Sequence, residues 1–227
     1  MTKIAIYIPS LGGGGAERIM QILANEFVEK GCEVDLLLCN NSGPYIHLLH
    51  PSVNIVDFRT KRVLKSIFPF TRYLKTQKPD IILSALTHAN VAALLAVKLS
   101  GVKSRVIISE RNSFRIYLSI PEKIVAFFLR FIMRIVYPWS NAITSVSEGV
   151  SEELRLLLPK QKKKIITIYN PIITLDHIVL MNEIIDHPWL SDKTIPCVIS
   201  AGRLELVKDY TKEFIEFLIN DKRMEEQ

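Results

Sequence analysis

The chain has 227 residues, 48% hydrophobic and 23% charged, a balance that excludes a disordered chain and allows a buried core. A formal charge of +6 and a pI near 9.2 favour an anionic partner, but no nucleic-acid motif or aromatic platform accompanies them, so a nucleic-acid partner is not expected. Cys32, Cys39 and Cys197 suit neither a disulfide framework nor a zinc site, and with no basic leader and no run of about 18 apolar residues the reading is a cytoplasmic protein without a metal.

Ile4 to Ile8 reads as a buried strand, Gly12, Gly13, Gly14 and Gly15 as a loop, and Ala16-Glu17-Arg18 as the first turn of a helix. Strand, glycine loop and helix N-terminus together make an anion or phosphate site. The spacing is not that of a P-loop, since no Lys-Ser or Lys-Thr follows, and it fits the dinucleotide pattern only loosely; a plain flexible turn is the competing reading. Ile19, Ile22, Leu23 and Phe27 fall at helical spacing, and Gly31 sits where that helix ends.

A second strand is predicted over Glu33 to Cys39, too apolar for a half-exposed position and therefore suited to a parallel sheet. Val53 to Phe58 is a third, and Val63 to Lys75 a basic amphipathic helix. Ile81 to Leu83, Arg105 to Ser109, Ala142 to Val146 and Ile165 to Ile168 supply four more strands. Between them fall helices at Ala89 to Leu99, at Pro121 to Tyr137, and from Ser147 with Glu148 early in the first turn. Strands alternating with helices predict an α/β, Rossmann-like parallel sheet with helices on both faces, its ligands at the carboxyl ends of the strands. The pattern loosens after Pro171. This places a Rossmann-like domain at 1–172, a linker at 173–192, and at 193–227 the start of a second, truncated Rossmann-like domain.

Several phrases, in this order, resemble glycosyltransferase family 4, retaining enzymes of the GT-B fold. They are Leu11-Gly12-Gly13-Gly14-Gly15-Ala16-Glu17-Arg18, Pro79-Asp80-Ile81-Ile82, Ile108-Ser109-Glu110-Arg111-Asn112-Ser113, Val146-Ser147-Glu148-Gly149-Val150, Ile168-Tyr169-Asn170-Pro171, and Ala201-Gly202-Arg203-Leu204 with Lys208-Asp209. The resemblance covers the family's acceptor-side domain and only the first strand and loop of its donor-side domain. It implies that Gly12 to Gly15 line the cleft and contact the donor's phosphate region or the acceptor. It also implies that Arg203 and Lys208 hold the donor pyrophosphate and steady the leaving nucleoside diphosphate, two cations doing so without a metal. The nucleotide sugar is then a substrate, and no cofactor is implied.

Many family members carry a histidine where Arg111 stands; an arginine there binds a phosphate or a sugar hydroxyl and cannot act as a base. His88, after the fourth predicted strand, is the other catalytic candidate, with a surface residue or helix cap as its ordinary alternative. Glu205 and Glu213 match the family's Glu-x7-Glu spacing by chance, because they straddle Arg203 and Lys208 rather than follow several more strands. The resemblance thus implies a nucleotide-sugar-dependent transferase of surface polysaccharide or glycolipid assembly with an incomplete donor site, a truncated form that is either inactive as given or completed by another chain.

Two aromatic and basic segments bear on the acceptor. Lys61 to Lys78 includes Phe68, Phe70 and Tyr73, and Pro121 to Trp139 combines Phe127, Phe128, Phe131 and Trp139 with Lys123, Arg130 and Arg134. Both fit an anionic membrane interface at the inner face of the cell membrane and a lipid-linked or saccharide acceptor. The alternatives are a core helix and a solvated charged face. In place of the enzyme stands one other class, a non-catalytic Rossmann-like module binding a sugar phosphate or a lipid-linked sugar.

Overall fold

The computed structural model describes residues 1–113, 123–173, 180–183 and 187. Met1–Ile172 forms one compact unit, and a second begins at Ile173. Most of the expected linker and the whole of 193–227 lie outside the described residues.

The first unit contains β1 (Lys3–Ile8), α1 (Gly15–Glu29), β2 (Glu33–Leu38), β3 (Asn54–Asp57), α2 (Ile67–Gln77) and β4 (Ile81–Ala85). These are followed by α3 (Thr87–Ser100), β5 (Arg105–Glu110), α4 (Lys123–Val136), β6 (Ala142–Ser145), α5 (Glu148–Leu157) and β7 (Ile165–Thr167). The sheet has seven strands in the order β3-β2-β1-β4-β5-β6-β7, and every neighbouring pair is parallel, as the apolar strand sequences require. Tyr7 faces Leu37 on one side and Ser84 on the other, which sets the register of the central strands.

A right-handed crossover puts its helix on one face when the chain steps one way along the sheet and on the opposite face when it steps back. The step from β1 to β2 runs opposite to the steps from β3 onward. Accordingly Ile19, Met20 and Ala24 of α1 pack with Ile4, Ile6, Ile8 and Leu36. Phe70 of α2, Ala92 of α3, Met133 of α4 and Leu154 of α5 pack with Ala5, Tyr7, Ile82 and Ile143 on the other face. Alternate residues of each strand thus serve alternate layers.

The local signals work as read. Gly31 takes φ +77° just past α1, with Gly31 N–H on the Val28 carbonyl at 2.8 Å and Cys32 N–H on that of Phe27 at 2.9 Å, which ends the helix. Ser147 caps α5, its Oγ accepting from Val150 N at 3.3 Å. The predicted helix at 63–75 begins instead as a 3-10 turn, Val63–Ser66, before α2. Pro69 is tolerated in the first turn of α2 because N–H groups there have no intrahelical acceptor to lose.

One expectation about α2 is corrected. Phe70 and Tyr73, assigned to a membrane-facing surface, are core residues at 0% and 7% exposure. Phe70, Tyr73 and Leu74 recur at helical spacing and turn one face of α2 to the sheet and α3, while Phe68 on the opposite side is 78% exposed. Tyr73 also donates its hydroxyl to the buried Asp35, whose other oxygen takes Asn54 Nδ2 at 2.6 Å. Lys3 Nζ, 3.3 Å away, supplies Asp35's counter-charge.

Helix α4 behaves oppositely. Met133 and Val136 are buried, yet Phe127, Phe128 and Phe131 are each more than half exposed, and Ile135 and Trp139 are nearly so. A wholly buried core helix is therefore excluded. Lys98 lies over the Trp139 ring at 5.5 Å, a cation on the border of this apolar surface. No described helix is long and apolar enough to cross a membrane.

Candidate functional site

In a parallel sheet every loop that leaves a strand emerges on the same edge, so the glycine loop after β1, Leu86-Thr87-His88 after β4, Glu110 to Ser113 after β5 and Asn170 after β7 gather there. The order reverses between β1 and β4, which opens the crevice between the glycine loop and the start of α3. Of the sequence candidates, Gly12 to Gly15, His88 and Arg111 are brought to this edge; Arg203 and Lys208 lie outside the described residues.

The glycine loop is held by a second segment. Leu11 N–H bonds the Ser42 carbonyl at 3.0 Å, and Tyr45 donates its hydroxyl to the Gly13 carbonyl at 3.1 Å. Gly43 lies against the loop so closely that a Cβ on it would stand 1.9 Å from the Leu11 carbonyl oxygen. Gly13 has φ +95° and Gly43 φ +125°, conformations that favour glycine. Gly15 has open space around its missing Cβ. The turn after β2 therefore builds the loop as much as the four glycines do, a dependence that no local reading of residues 10–18 could show.

The first turn of α1 carries its own anion. Glu17 Oε2 lies 2.3 Å from where a Cβ on Gly14 would stand, so a phosphate at this turn would face a carboxylate. The adjacent cation points elsewhere: Arg18 Nη1 donates to Gln21 Oε1 at 2.8 Å, and its guanidinium lies over the Tyr45 ring. The loop thus has a carboxylate beside it, while the neighbouring cation is engaged elsewhere.

His88 occupies the first turn of α3 and keeps an exposed surface. The atoms crowding its imidazole hold its pKa below the ordinary value, against the Glu17 carboxylate, which pulls it upward. The lowered pKa favours the neutral ring, which can both donate and accept one hydrogen bond.

Behind His88 lies a polar network that sequence reasoning passed over. Glu110, fully buried at the end of β5, accepts from Asn90 Nδ2 and Thr87 Oγ1 at 2.9 Å each, and from the Tyr137 hydroxyl. Ser84 and Asn90 extend the network at 2.7 Å. Burial raises the Glu110 pKa, against the three hydrogen bonds, which favour the ionised form. The carboxylate ties the end of β5 to the first turn of α3, and so fixes both His88 and Arg111. Its signal was a charged residue directly after the apolar Val106 to Ile108 and Ser109, at the ligand end of the strand.

Leu86, between β4 and α3, has φ +80°, unusual for a branched side chain. Its N–H bonds the Ser109 carbonyl at 3.3 Å and its carbonyl accepts Asn90 N–H at 2.8 Å. Its side chain packs against both apolar layers. Packing on two sides offsets a strain of about 1–3 kcal/mol.

Arg111 is partly buried, and its Nη1 donates to Asn170 Oδ1, joining the ends of β5 and β7. Its Nε is buried without a partner. Burial lowers its pKa to about 10, with no acidic group among the described residues offsetting the shift. Glu148, the carboxylate at the start of α5, is engaged by Thr167 and Arg155 instead.

A cavity of about 860 Å³ lies at the opposite end of the sheet, among Lys75, Lys78, Asp80, Lys103 and Arg105. Helices α2 and α3 end there, and cations beside helix carbonyl ends are their ordinary electrostatic complement. This cavity is separate from the edge that gathers the candidate residues. Among the described residues no cluster of His, Cys, Asp and Glu could hold a metal ion.

Strand order, loop placement and the reversal beside β1 define a Rossmann-like domain of the kind found in GT-B glycosyltransferases. The family description Glycosyltransferase Family 4 matches residues 13–174, and the chain belongs to that family. It is 29% identical over 222 residues to the N-acetylgalactosamine-N,N'-diacetylbacillosaminyl-diphospho-undecaprenol 4-alpha-N-acetylgalactosaminyltransferase of Campylobacter jejuni, matching 92% of this chain and 57% of that protein. To the amylovoran biosynthesis glycosyltransferase AmsD of Erwinia amylovora it is 29% identical over 129 residues, 56% of this chain and 36% of that one. The chain thus spans about half, or less, of the length of these curated relatives. Among solved structures, the lipopolysaccharide outer core galactosyltransferase WaaB superposes with a TM-score of 0.57 at 18% identity, over 76% of this chain and 46% of that chain. The Anabaena protein HepE in complex with UDP-glucose superposes with 0.56 at 14% identity, over 80% and 49%.

Proposed function

We propose that the protein transfers a sugar from a nucleotide-sugar donor to a lipid-linked saccharide, with retention at the anomeric carbon, in surface polysaccharide or glycolipid assembly. The observation that carries this reading is the reach of the family match, residues 13–174, which takes in Gly13 to Gly15 of the glycine loop, His88, Arg111 and Asn170 together. The Campylobacter relative is named for a diphospho-undecaprenol acceptor, which supports a lipid-linked acceptor here.

Within this reading the glycine loop and Glu17 receive hydroxyl groups of the acceptor, and neutral His88 orients one of them. Arg203 and Lys208 steady the departing nucleoside diphosphate, where breaking the sugar–phosphate bond places negative charge on oxygen. The exposed Phe127, Phe128 and Phe131 of α4 lie in the head-group region of the membrane's inner face, with Lys98, Arg130 and Arg134 nearby, so the enzyme meets its acceptor as a peripheral protein.

The test is to incubate the purified chain with a panel of nucleotide sugars and vesicles carrying a polyprenyl-diphosphate-linked saccharide. Release of nucleoside diphosphate with a lengthened lipid-linked product is expected. Specific acceptor binding without turnover, also when a chain carrying the Glu-x7-Glu donor domain is added, would identify a binding module in place of an enzyme.

A further inference from the structure

We propose that Arg111, braced by Asn170, is an oxyanion receptor on the first unit that takes a phosphate oxygen of a substrate diphosphate. Three observations meet at this side chain. The guanidinium is partly buried with no acidic partner among the described residues, an arrangement that costs stability until an anion arrives. One nitrogen, Nη1, is fixed by Asn170, so the planar fork is held in one orientation between the ends of β5 and β7. Another, Nε, is buried without an acceptor, and a group bringing two oxygens to one edge of the fork satisfies it together with Nη2.

The other charges at this edge point the same way. Glu17 occupies the first turn of α1, and Arg18 is turned onto Gln21 and Tyr45. Arg155 is paired with Glu148. Arg18, next to the glycine loop, is therefore already engaged, whereas Arg111 has no acidic partner among the described residues; Arg59, Lys61 and Arg62, which follow β3, are exposed charges farther along the same edge. Two substrates of the proposed reaction carry a diphosphate, the nucleotide sugar and the lipid-linked acceptor. The inference rests on that reading only for the source of the phosphate; the binding test needs no turnover, so the two can fail separately.

The experiment is calorimetric titration of the 227-residue chain with inorganic pyrophosphate, UDP and farnesyl diphosphate, alongside thermal melts. Wild type binds pyrophosphate and melts higher in its presence. Arg111→Gln binds it roughly tenfold to a hundredfold more weakly, as expected for a charge-assisted fork, and its melting point no longer responds to pyrophosphate. If farnesyl diphosphate loses affinity and UDP does not, the acceptor supplies the phosphate; the reverse assigns it to the donor. Undiminished pyrophosphate binding in Arg111→Gln, or no binding by wild type, overturns the proposal. Should Arg111→Gln not fold, Arg111→Lys carries the test, since it keeps the charge and loses the fork: affinity equal to wild type overturns the receptor.

Discussion

Replacing Gly43 by alanine tests whether the glycine loop is built by the turn after β2. The new Cβ would stand 1.9 Å from the Leu11 carbonyl oxygen, 2.2 Å from its carbon and 2.8 Å from Gly12 N, all backbone atoms that no side-chain rotation can clear. The residue also holds φ +125°, a strain for alanine of about 1–3 kcal/mol. Forcing the loop aside adds an overpacking cost of about 1–3 kcal/mol. A loss of roughly 2–6 kcal/mol is a large part of the ~5–15 kcal/mol that holds such a domain. At about 2–4 °C per kcal/mol for a chain of this size, the melting point followed by circular dichroism falls by roughly 4–24 °C. Gly15→Ala is the control. Its Cβ meets nothing within 4 Å and it opens α1, so its melting point is unchanged or rises by the equivalent of up to ~1 kcal/mol. Equal effects of the two substitutions, or a Gly43→Ala protein that melts like wild type, would refute the reasoning.

Three further outcomes follow from single side chains. Because the folded pKa of Glu110 lies above its unfolded value, the folded state holds the proton more tightly, and stability from this group falls as pH rises from 4.5 through the folded pKa. Glu110→Gln removes that slope, so its melting point gains on wild type between acid and neutral pH; parallel curves would contradict the assignment. Phe128→Ser and Phe131→Ser, both on the exposed face of α4, leave stability within about 0.5 kcal/mol and weaken pelleting with anionic vesicles. Retained pelleting would remove the membrane contact. At position 86 the positive φ reverses the usual ranking of small residues: Leu86→Gly melts above Leu86→Ala, because only glycine relieves the strain while both lose the packing. The opposite order would mean that the conformation at Leu86 carries no strain.

Much of the fold was legible because its signals are local. Apolar runs such as Val34 to Leu38, the stop at Gly31 and the cap at Ser147 each act within a few residues, and each does so in the folded protein. Phe70 and Tyr73 were misplaced because a basic amphipathic segment has two faces, and composition does not say which one meets the sheet; the burial of Asp35 beside Tyr73 decided it. The candidate site was legible only in part, for a related reason. The edge was readable from strand order, but Glu110, Gly43 and Asn170 act on partners 20 to 59 residues away, or through steric contact with a distant loop. Such couplings leave no period in the sequence. The glycine run shows the same limit: Glu17 beside it is visible in the sequence, but its direction is not.

Leu86 touches both apolar layers from the end of β4. A residue so placed works as a rivet: the layer under α1 and the layer under α2 to α5 cannot slip past each other at this edge without withdrawing it. The Leu86–Thr87 peptide also aims the first turn of α3, so the tilt of His88 is set by how well two separate interiors close around one side chain. A substitution deep beneath α1, remote from any substrate, would then register as a change in the direction of an imidazole on the far side of the sheet's edge.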